Sequence, residues 1–155
     1  MEPKPQMAWV EAVVRDRFGT VKSRSRSPNL MTAAGGAWWE NQLFGTPVTP
    51  TPYIGISTDT TTISAGDTVL AGEQTTNGLA RAAATVVYPG GGTETDTVQL
   101  TITYTYTGSS SLSINKAGLF TASSGGTMIR ETKLNELATL TTSGDTLSLT
   151  WDISF

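Results

Sequence analysis

The chain has 155 residues, a formal net charge of -3 and a hydrophobic share of 37%, which fits one folded domain and excludes a disordered chain. It contains neither cysteine nor histidine. Disulfides, a thiolate nucleophile, zinc–sulfur sites and the commonest general base near neutral pH are therefore excluded. No apolar run approaches the roughly 18–20 residues that span a bilayer, and we expect no membrane contact.

Few residues are charged, 15% in all. A subunit packed against neighbours can tolerate such a surface, although extracellular β-proteins have similar compositions. Through residue 52 six lysines and arginines face four acidic residues, a balance of +2, and from residue 53 four face nine, a balance of -5. The basic surface therefore belongs to the first third of the chain.

Residues 1–6 contain two prolines and are predicted to form an extended N-terminal arm, followed by a single domain over residues 7–155. The pattern predicts a strand over residues 9–15 and a return strand over residues 20–25, joined by a turn that ends at Gly19. The domain therefore begins with a β-hairpin.

A basic stripe consists of Lys22, Arg24 and Arg26, which alternate with serines and share one face of an extended chain. Such a stripe can bind an acidic protein surface or phosphate groups, or it can simply keep a solvated edge strand from pairing with other strands. Because the chain is acidic overall, we favour a protein partner or a solvated edge over nucleic acid.

One helix is predicted, over residues 33–44, with Thr32 as its N-cap and Gly45 at its end. It carries the adjacent pair Trp38 and Trp39. One ring can pack beneath the helix while the other stays partly exposed, or the pair can anchor a protein interface, where tryptophan is enriched. Trp38 and Trp39 join Lys22, Arg24 and Arg26 as candidate protein-interface residues.

Residues 46–52 contain three prolines and predict an extended connector, because proline lacks the N–H that helices and ladders use. A strand over residues 53–57, a loop over residues 58–78 and a strand over residues 80–88 follow.

The clearest strand signals are residues 95–107 and 147–155, where apolar and polar residues alternate. We expect two central strands whose apolar side chains are buried together: Leu100, Ile102, Tyr104, Leu149, Trp151 and Ile153. Shorter strands are predicted at residues 112–115, 119–121 and 127–132. The fold class is mainly β, an antiparallel β-sandwich of immunoglobulin-like or jelly-roll-like type, with one short N-terminal helix.

Side chains that could ligate a metal are scattered in loops. Asp59, Asp67 and Asp145 could hold a hard cation, but their spacing favours the capping of turns. The glycines at 90–92 and 125–126 match neither a phosphate-binding loop nor a dinucleotide fingerprint and indicate hairpin turns. We predict no metal-binding and no cofactor-binding residue.

The sequence gives equally little support for a set of residues that could act together in catalysis. Glu131 and Glu136 could meet other carboxylates only across long sequence separations. Lys116 and Lys133, which we place in turns, are the only lysines that could activate a serine or threonine in this half of the chain. We therefore predict no catalytic residue and no enzymatic activity.

The order of landmarks resembles a family of small structural proteins encoded in tailed-phage genomes, described as virion or tail-fibre-like proteins. The resemblance covers nearly the whole chain. Its landmarks are residues 29–35 (Asn-Leu-Met-Thr-Ala-Ala-Gly), the helix, residues 53–57 (Tyr-Ile-Gly-Ile-Ser), residues 78–81 (Gly-Leu-Ala-Arg), the alternating threonine-rich strand, residues 117–120 (Ala-Gly-Leu-Phe), residues 125–130 and the closing segment 144–155.

This resemblance implies a β-sandwich present in many copies on the particle, and it carries over no catalytic residue. We expect a virion protein, assembled in the host cytoplasm as a symmetric homo-oligomer in the tail, neck or fibre-attachment region. Its partners would be copies of itself and other virion proteins. Decoration of the capsid is one alternative, and a receptor- or carbohydrate-binding β-module with solvent-open aromatic residues is another.

Overall fold

The computed structural model describes residues 9–45, 51–89 and 97–154. One helix, α1, is present in these residues and runs from Ala33 to Phe44. The strands are β1 (Trp9–Arg15), β2 (Val21–Met31), β3 (Tyr53–Ser57), β4 (Ala82–Ala83), β5 (Thr85–Val87), β6 (Thr97–Thr105), β7 (Leu112–Phe120), β8 (Met128–Leu140) and β9 (Thr146–Ser154).

All nine strands belong to one antiparallel sheet, in the order β4-β3-β7-β8-β2-β1-β9-β6-β5. β2 crosses between the two halves, because its first part pairs with β1 and residues 29–31 pair with β8. On the other side β4 pairs with β3, and β5, which begins two residues after β4 ends, pairs with β6. Residues 82–87 therefore link the two edges, and the sheet is nearly closed into a barrel.

The core lies between the two halves of this barrel. Trp151 on β9 and Val10 on β1 are fully buried and pack in one cluster with Ile54 and Ile114 from the opposite half. Tyr104 on β6 donates its phenol hydrogen to the carbonyl of Ile54 at 2.5 Å, so a hydrogen bond also crosses the core. Apolar side chains that alternate along strands such as β1, β6 and β9 account for this arrangement.

The predicted central core is confirmed. The fully or nearly fully buried members are Leu100, Tyr104, Leu149 and Trp151, and two others, Ile102 and Ile153, are partly buried against the same cluster.

Helix α1 has the predicted bounds and caps. The Thr32 side chain accepts a hydrogen bond from the Gly35 N–H at 2.9 Å and donates its own hydroxyl to the carbonyl of Met128. A Cβ on Gly35 would lie 2.0 Å from the carbonyl oxygen of Ile129. The first turn of α1 is therefore pressed against β8, and only glycine fits at this contact.

The sequence prediction of the strands after residue 110 was wrong in extent. The two short strands predicted at 112–115 and 119–121 form one strand, β7, and β8 continues eight residues beyond the predicted end at 132. Lys116 and Lys133, predicted in turns, lie inside β7 and β8. Lys133 is exposed to solvent, whereas Lys116 is buried and the fold tolerates its charge because it has acidic partners, as described below.

A mainly antiparallel β fold with one short helix is confirmed. The two separate sheets of a sandwich are not, since one sheet joins all nine strands. The arm at residues 1–6 and most of the connector at residues 46–52 lie outside the described residues. No helix in the described part of the chain is long and apolar enough to cross a membrane.

Candidate functional site

An apolar depression of about 250 Å³ opens between α1 and one end of the barrel. Trp38 and Trp39 from the helix form part of its wall, with Phe120 and Ile129 from the strands beneath and Tyr88 at the rim. Tyr88 is 53% exposed. The two tryptophan rings have centroids 5.8 Å apart and are tilted by 32°. The candidate residues Trp38 and Trp39 therefore lie together, half-buried, at a depression on the surface.

The lining of this depression is almost free of polar groups. Among its described residues Arg130 is the one charged side chain, and its guanidinium donates to the Asn29 side chain at 3.0 Å. Burial lowers the pKa of Arg130. No aspartate or asparagine occurs among the described lining residues. Such a wall suits the apolar side chain of a neighbouring protein better than a sugar, which needs several hydrogen-bonding partners.

The basic stripe is exposed along β2, as predicted, and each of its cations has a partner in the chain. Lys22 lies 2.9 Å from the Asp145 carboxylate, and Arg24 lies 3.3 Å from Glu11. The guanidinium of Arg26 stacks on the Trp9 ring at 5.1 Å. These three cations are therefore not equivalent, because only the partner of Lys22 is buried.

Asp145 is held by several donors at the turn between β8 and β9. It accepts hydrogen bonds from the backbone N–H groups of Thr141 and Thr142 as well as from Lys22. Burial alone would raise its pKa, but the hydrogen bonds outweigh burial and hold the pKa at about 2. The predicted role of Asp145 in capping a turn is confirmed.

A second cluster lies outside the core, where the loop at residues 58–79 covers β7 and β8. Leu70 from this loop packs against Phe120 and Met128. Arg81, just after the loop, forms a bidentate pair with Glu73 at 2.7 Å and stacks on Phe120 at 3.4 Å. These contacts fix the loop to the barrel.

Beneath this loop lies an ionic cluster of Asp59, Asp67, Lys116 and Glu131, in which Lys116 and Glu131 are buried and the two aspartates are partly exposed. The Lys116 side chain is 2% exposed, and its ammonium lies 2.6 Å from Asp59 and 3.8 Å from Glu131. Glu131 is 1% exposed, and its Oε2 atom has no hydrogen-bond donor nearby. A cavity of about 230 Å³, lined mainly by loop residues, reaches Lys116 and Glu131.

The two acidic partners of Lys116 differ in their ionisation. The hydrogen bonds from Lys116 and Thr61 lower the pKa of Asp59 to about 2. Burial, with a smaller contribution from the neighbouring Asp67, raises the pKa of Glu131 to about 7. Of these two partners, Asp59 is therefore charged at neutral pH, whereas Glu131 exchanges its proton near neutral pH. No set of three or more acidic side chains in the described residues is arranged to hold a metal ion.

Sequence reasoning missed this cluster. It took Asp59 and Asp67 as turn caps, and both do cap turns, at Thr61 and Ser64. It also considered Glu131 only in combination with other carboxylates. The available signal was Lys116, a lysine inside an apolar stretch, since a buried lysine requires an acidic partner.

Comparison with protein-family models, with curated proteins and with solved structures gave no match to this chain.

Proposed function

We propose that this chain is a non-enzymatic structural protein of a tailed-phage virion, which assembles as a symmetric homo-oligomer in the tail, neck or fibre-attachment region. The family resemblance of its sequence landmarks supports the class of protein. The observation that carries the assembly role is the apolar depression beside α1, with Trp38 and Trp39 in its wall.

Apolar surface of this kind favours contact with another protein. Burial of apolar area contributes roughly 25 cal/mol per Å², and interface energy is concentrated in a few large aromatic side chains set in pockets. Phe44, at the end of the same helix, is a further exposed aromatic residue, with 88% of its surface accessible. We therefore assign α1 and the rim at Tyr88 to a subunit contact.

The rest of the molecule fits a rigid building block. Tyr104, Tyr106 and Trp151 are buried in the core, which leaves them unable to stack on a ligand; Phe155 lies outside the described residues. The two facing halves of the sheet would act as the layers of a β-sandwich. Arg24, with 61% of its side chain exposed, and Arg26 offer a basic surface for an acidic neighbour.

We retain two alternative functions for the chain. Decoration of the capsid would use the same apolar surface on a different part of the particle. A receptor- or carbohydrate-binding module would use Trp38, Trp39 and Tyr88 as stacking platforms.

The test replaces Trp38 by Ala in the phage that encodes the chain, and separately replaces Phe18, an aromatic residue that is 79% exposed at the opposite end of the barrel. We expect the chain in purified wild-type particles by mass spectrometry, and light scattering should give a multimer for the isolated protein. Trp38→Ala should lower both incorporation and multimer mass, and Phe18→Ala should change neither.

A chain that stays monomeric at high concentration and is missing from purified particles would contradict the proposal. Specific binding of a glycan that Trp38→Ala abolishes, without any effect on particle composition, would favour the carbohydrate-binding alternative.

A further inference from the structure

The ionic cluster beneath the loop brings together the Lys116 amine, the Asp59 carboxylate and the Glu131 carboxyl group, which can exchange a proton. Lys116 is on β7, Glu131 is on the adjacent strand β8, and Asp59 follows β3, which pairs with β7 on its other side. Ser57 is the β3 residue that faces Lys116 in the register. Three neighbouring elements of one sheet therefore hold the three groups in place.

We propose that Lys116 and Asp59 condense into an intramolecular amide bond, with Glu131 as the residue that transfers the protons. This activity is independent of the role in assembly proposed above.

The geometry places the reacting groups in contact. The Lys116 Nζ atom is 2.6 Å from the Asp59 Oδ2 atom and also donates to the Thr61 hydroxyl at 2.9 Å. Side chains held on a folded scaffold react as if at very high concentration, with effective molarities of roughly 10⁵–10⁸ M for well-oriented groups. Pre-organisation of this size favours both the rate and the equilibrium of a condensation that water otherwise opposes.

Glu131 has the properties of a proton carrier for this step. Its carboxyl is buried, lies 3.8 Å from the Lys116 ammonium and has a pKa raised to about 7. A group with a pKa near the working pH both gives and takes protons readily. Glu131 is among the residues that line the cavity beneath the loop, so a proton can also pass through a single water molecule there.

The reaction balances without an oxidant or another reactant. The Lys116 ammonium gives one proton to the Asp59 carboxylate through the hydrogen bond between them, and the neutral amine attacks the carbon of the resulting carboxyl group. Glu131 gives a proton to an oxygen of Asp59 and recovers one from the nitrogen. A C–N bond forms, one C–O bond breaks, and the two protons lost by the ammonium leave with that oxygen as water.

The product also suits its surroundings. Condensation removes one positive and one negative charge from the cluster. The buried ammonium, which a fold tolerates only with a charged partner, is replaced by an uncharged amide.

Intact-mass spectrometry of the full chain tests the proposal directly. We expect the purified wild-type protein, incubated at neutral pH, to be one water lighter than its sequence. Trypsin should then release residues 27–81 joined to residues 82–130 as one branched peptide, because cleavage after Lys116 is blocked.

Matched variants distinguish the formation of this amide bond from loss of water elsewhere in the chain. Lys116→Arg keeps the positive charge and should retain the full mass, while Lys133→Arg, a control at a lysine that donates to the Thr60 carbonyl, should lose water like wild type. Glu131→Gln keeps the shape of the side chain and should condense at least tenfold more slowly. A folded wild-type protein at full mass, or a loss of water that persists in Lys116→Arg, would overturn the proposal.

Discussion

The ammonium of Lys22 lies 2.9 Å from the carboxylate of Asp145, a residue that is 1% exposed. The contact ties β2 to the turn between β8 and β9, two parts of the chain separated by more than one hundred residues. Lys22 was predicted as an interface residue, and that role stays a prediction. The structure adds a second role, in stability, that the other two cations of the stripe do not share.

Replacing Lys22 by Ser should therefore lower the free energy of unfolding by about 1–2 kcal/mol, because a buried carboxylate loses a charged hydrogen-bond donor. Arg24→Ser should change it by no more than about 0.5 kcal/mol, since the pair with Glu11 is exposed to solvent. Urea denaturation of the two variants measures both values. Equal losses in the two variants would show that the burial of Asp145 does not matter.

The incorporation of the chain into particles should respond to the other two cations. Changing Arg24 and Arg26 to Ser is expected to leave the domain folded and to weaken incorporation, and added salt should weaken it in the wild type as well. Deletion of residues 1–6 should act in the same way. Quantitative mass spectrometry of purified particles gives the readout, and unchanged incorporation in both variants would exclude the basic stripe and the arm from the contact.

Two adjacent glycines of α1 provide a matched pair. A Cβ at position 35 would collide with the backbone oxygen of Ile129 at 2.0 Å, whereas the nearest atom to a Cβ at position 36 is the Met31 sulfur at 3.9 Å. We expect Gly35→Ala to destabilise the protein by about 2 kcal/mol or more through displacement of the helix. Gly36→Ala should stabilise it by up to about 1 kcal/mol through helix propensity. Thermal unfolding measures the melting temperatures of both variants. A shift of the same sign in each would contradict the close contact between Gly35 and Ile129.

Trp151 is the largest fully buried side chain. Its replacement by Ala should cost about 3–5 kcal/mol, the range for a large aromatic in a packed core. Trp38→Ala should cost clearly less in the isolated chain, because Trp38 is only half-buried. Chemical denaturation under conditions that keep the chain monomeric separates the two, and a larger loss for Trp38 would place that residue in the core.

The stability of the fold should fall between about pH 4.5 and pH 7. In the folded protein Glu131 has a pKa of about 7, above its ordinary value of 4.5. Its contribution to the free energy of unfolding is therefore complete at low pH and is lost as the pH rises through 7. The difference amounts to at most about 3 kcal/mol. Asp59 and Asp145 have lowered pKa values of about 2 and affect stability only below their ordinary pKa.

Urea midpoints at pH 5 and pH 8 measure this dependence. Glu131→Gln removes the titrating group and should flatten the profile. A wild-type profile that is already flat over this range would show that Glu131 ionises normally.

The sequence predicted best those elements whose signals are local. Helix α1 was placed correctly because its cap, Thr32, and its end, Gly45, are contiguous with the segment that they bound. Strands β6 and β9 followed from the alternation of apolar and polar residues along each segment.

The pairing of strands that are distant along the chain could not be predicted from the sequence. Nothing near Pro28 shows that β2 changes partner there, from β1 to β8, because the partner strand is one hundred residues away. The ionic cluster was missed for the same reason: Asp59, Lys116 and Glu131 look like separate surface charges until the strands that carry them are paired. The role of a single charged residue in a strand depends on its neighbours on the adjacent strands.

The link that residues 82–87 make between the two edges of the sheet limits how copies of this protein can meet. An open sheet edge presents free N–H and C=O groups, and any other extended chain can add to it as a further strand. Here the Ala84 N–H already donates to Pro52, and the Gln74 N–H donates to Ile56 beside the same edge. Crowded subunits would have little opportunity for indiscriminate strand exchange, so recognition between them has to come from side-chain shape and chemistry, which can be specific for one partner.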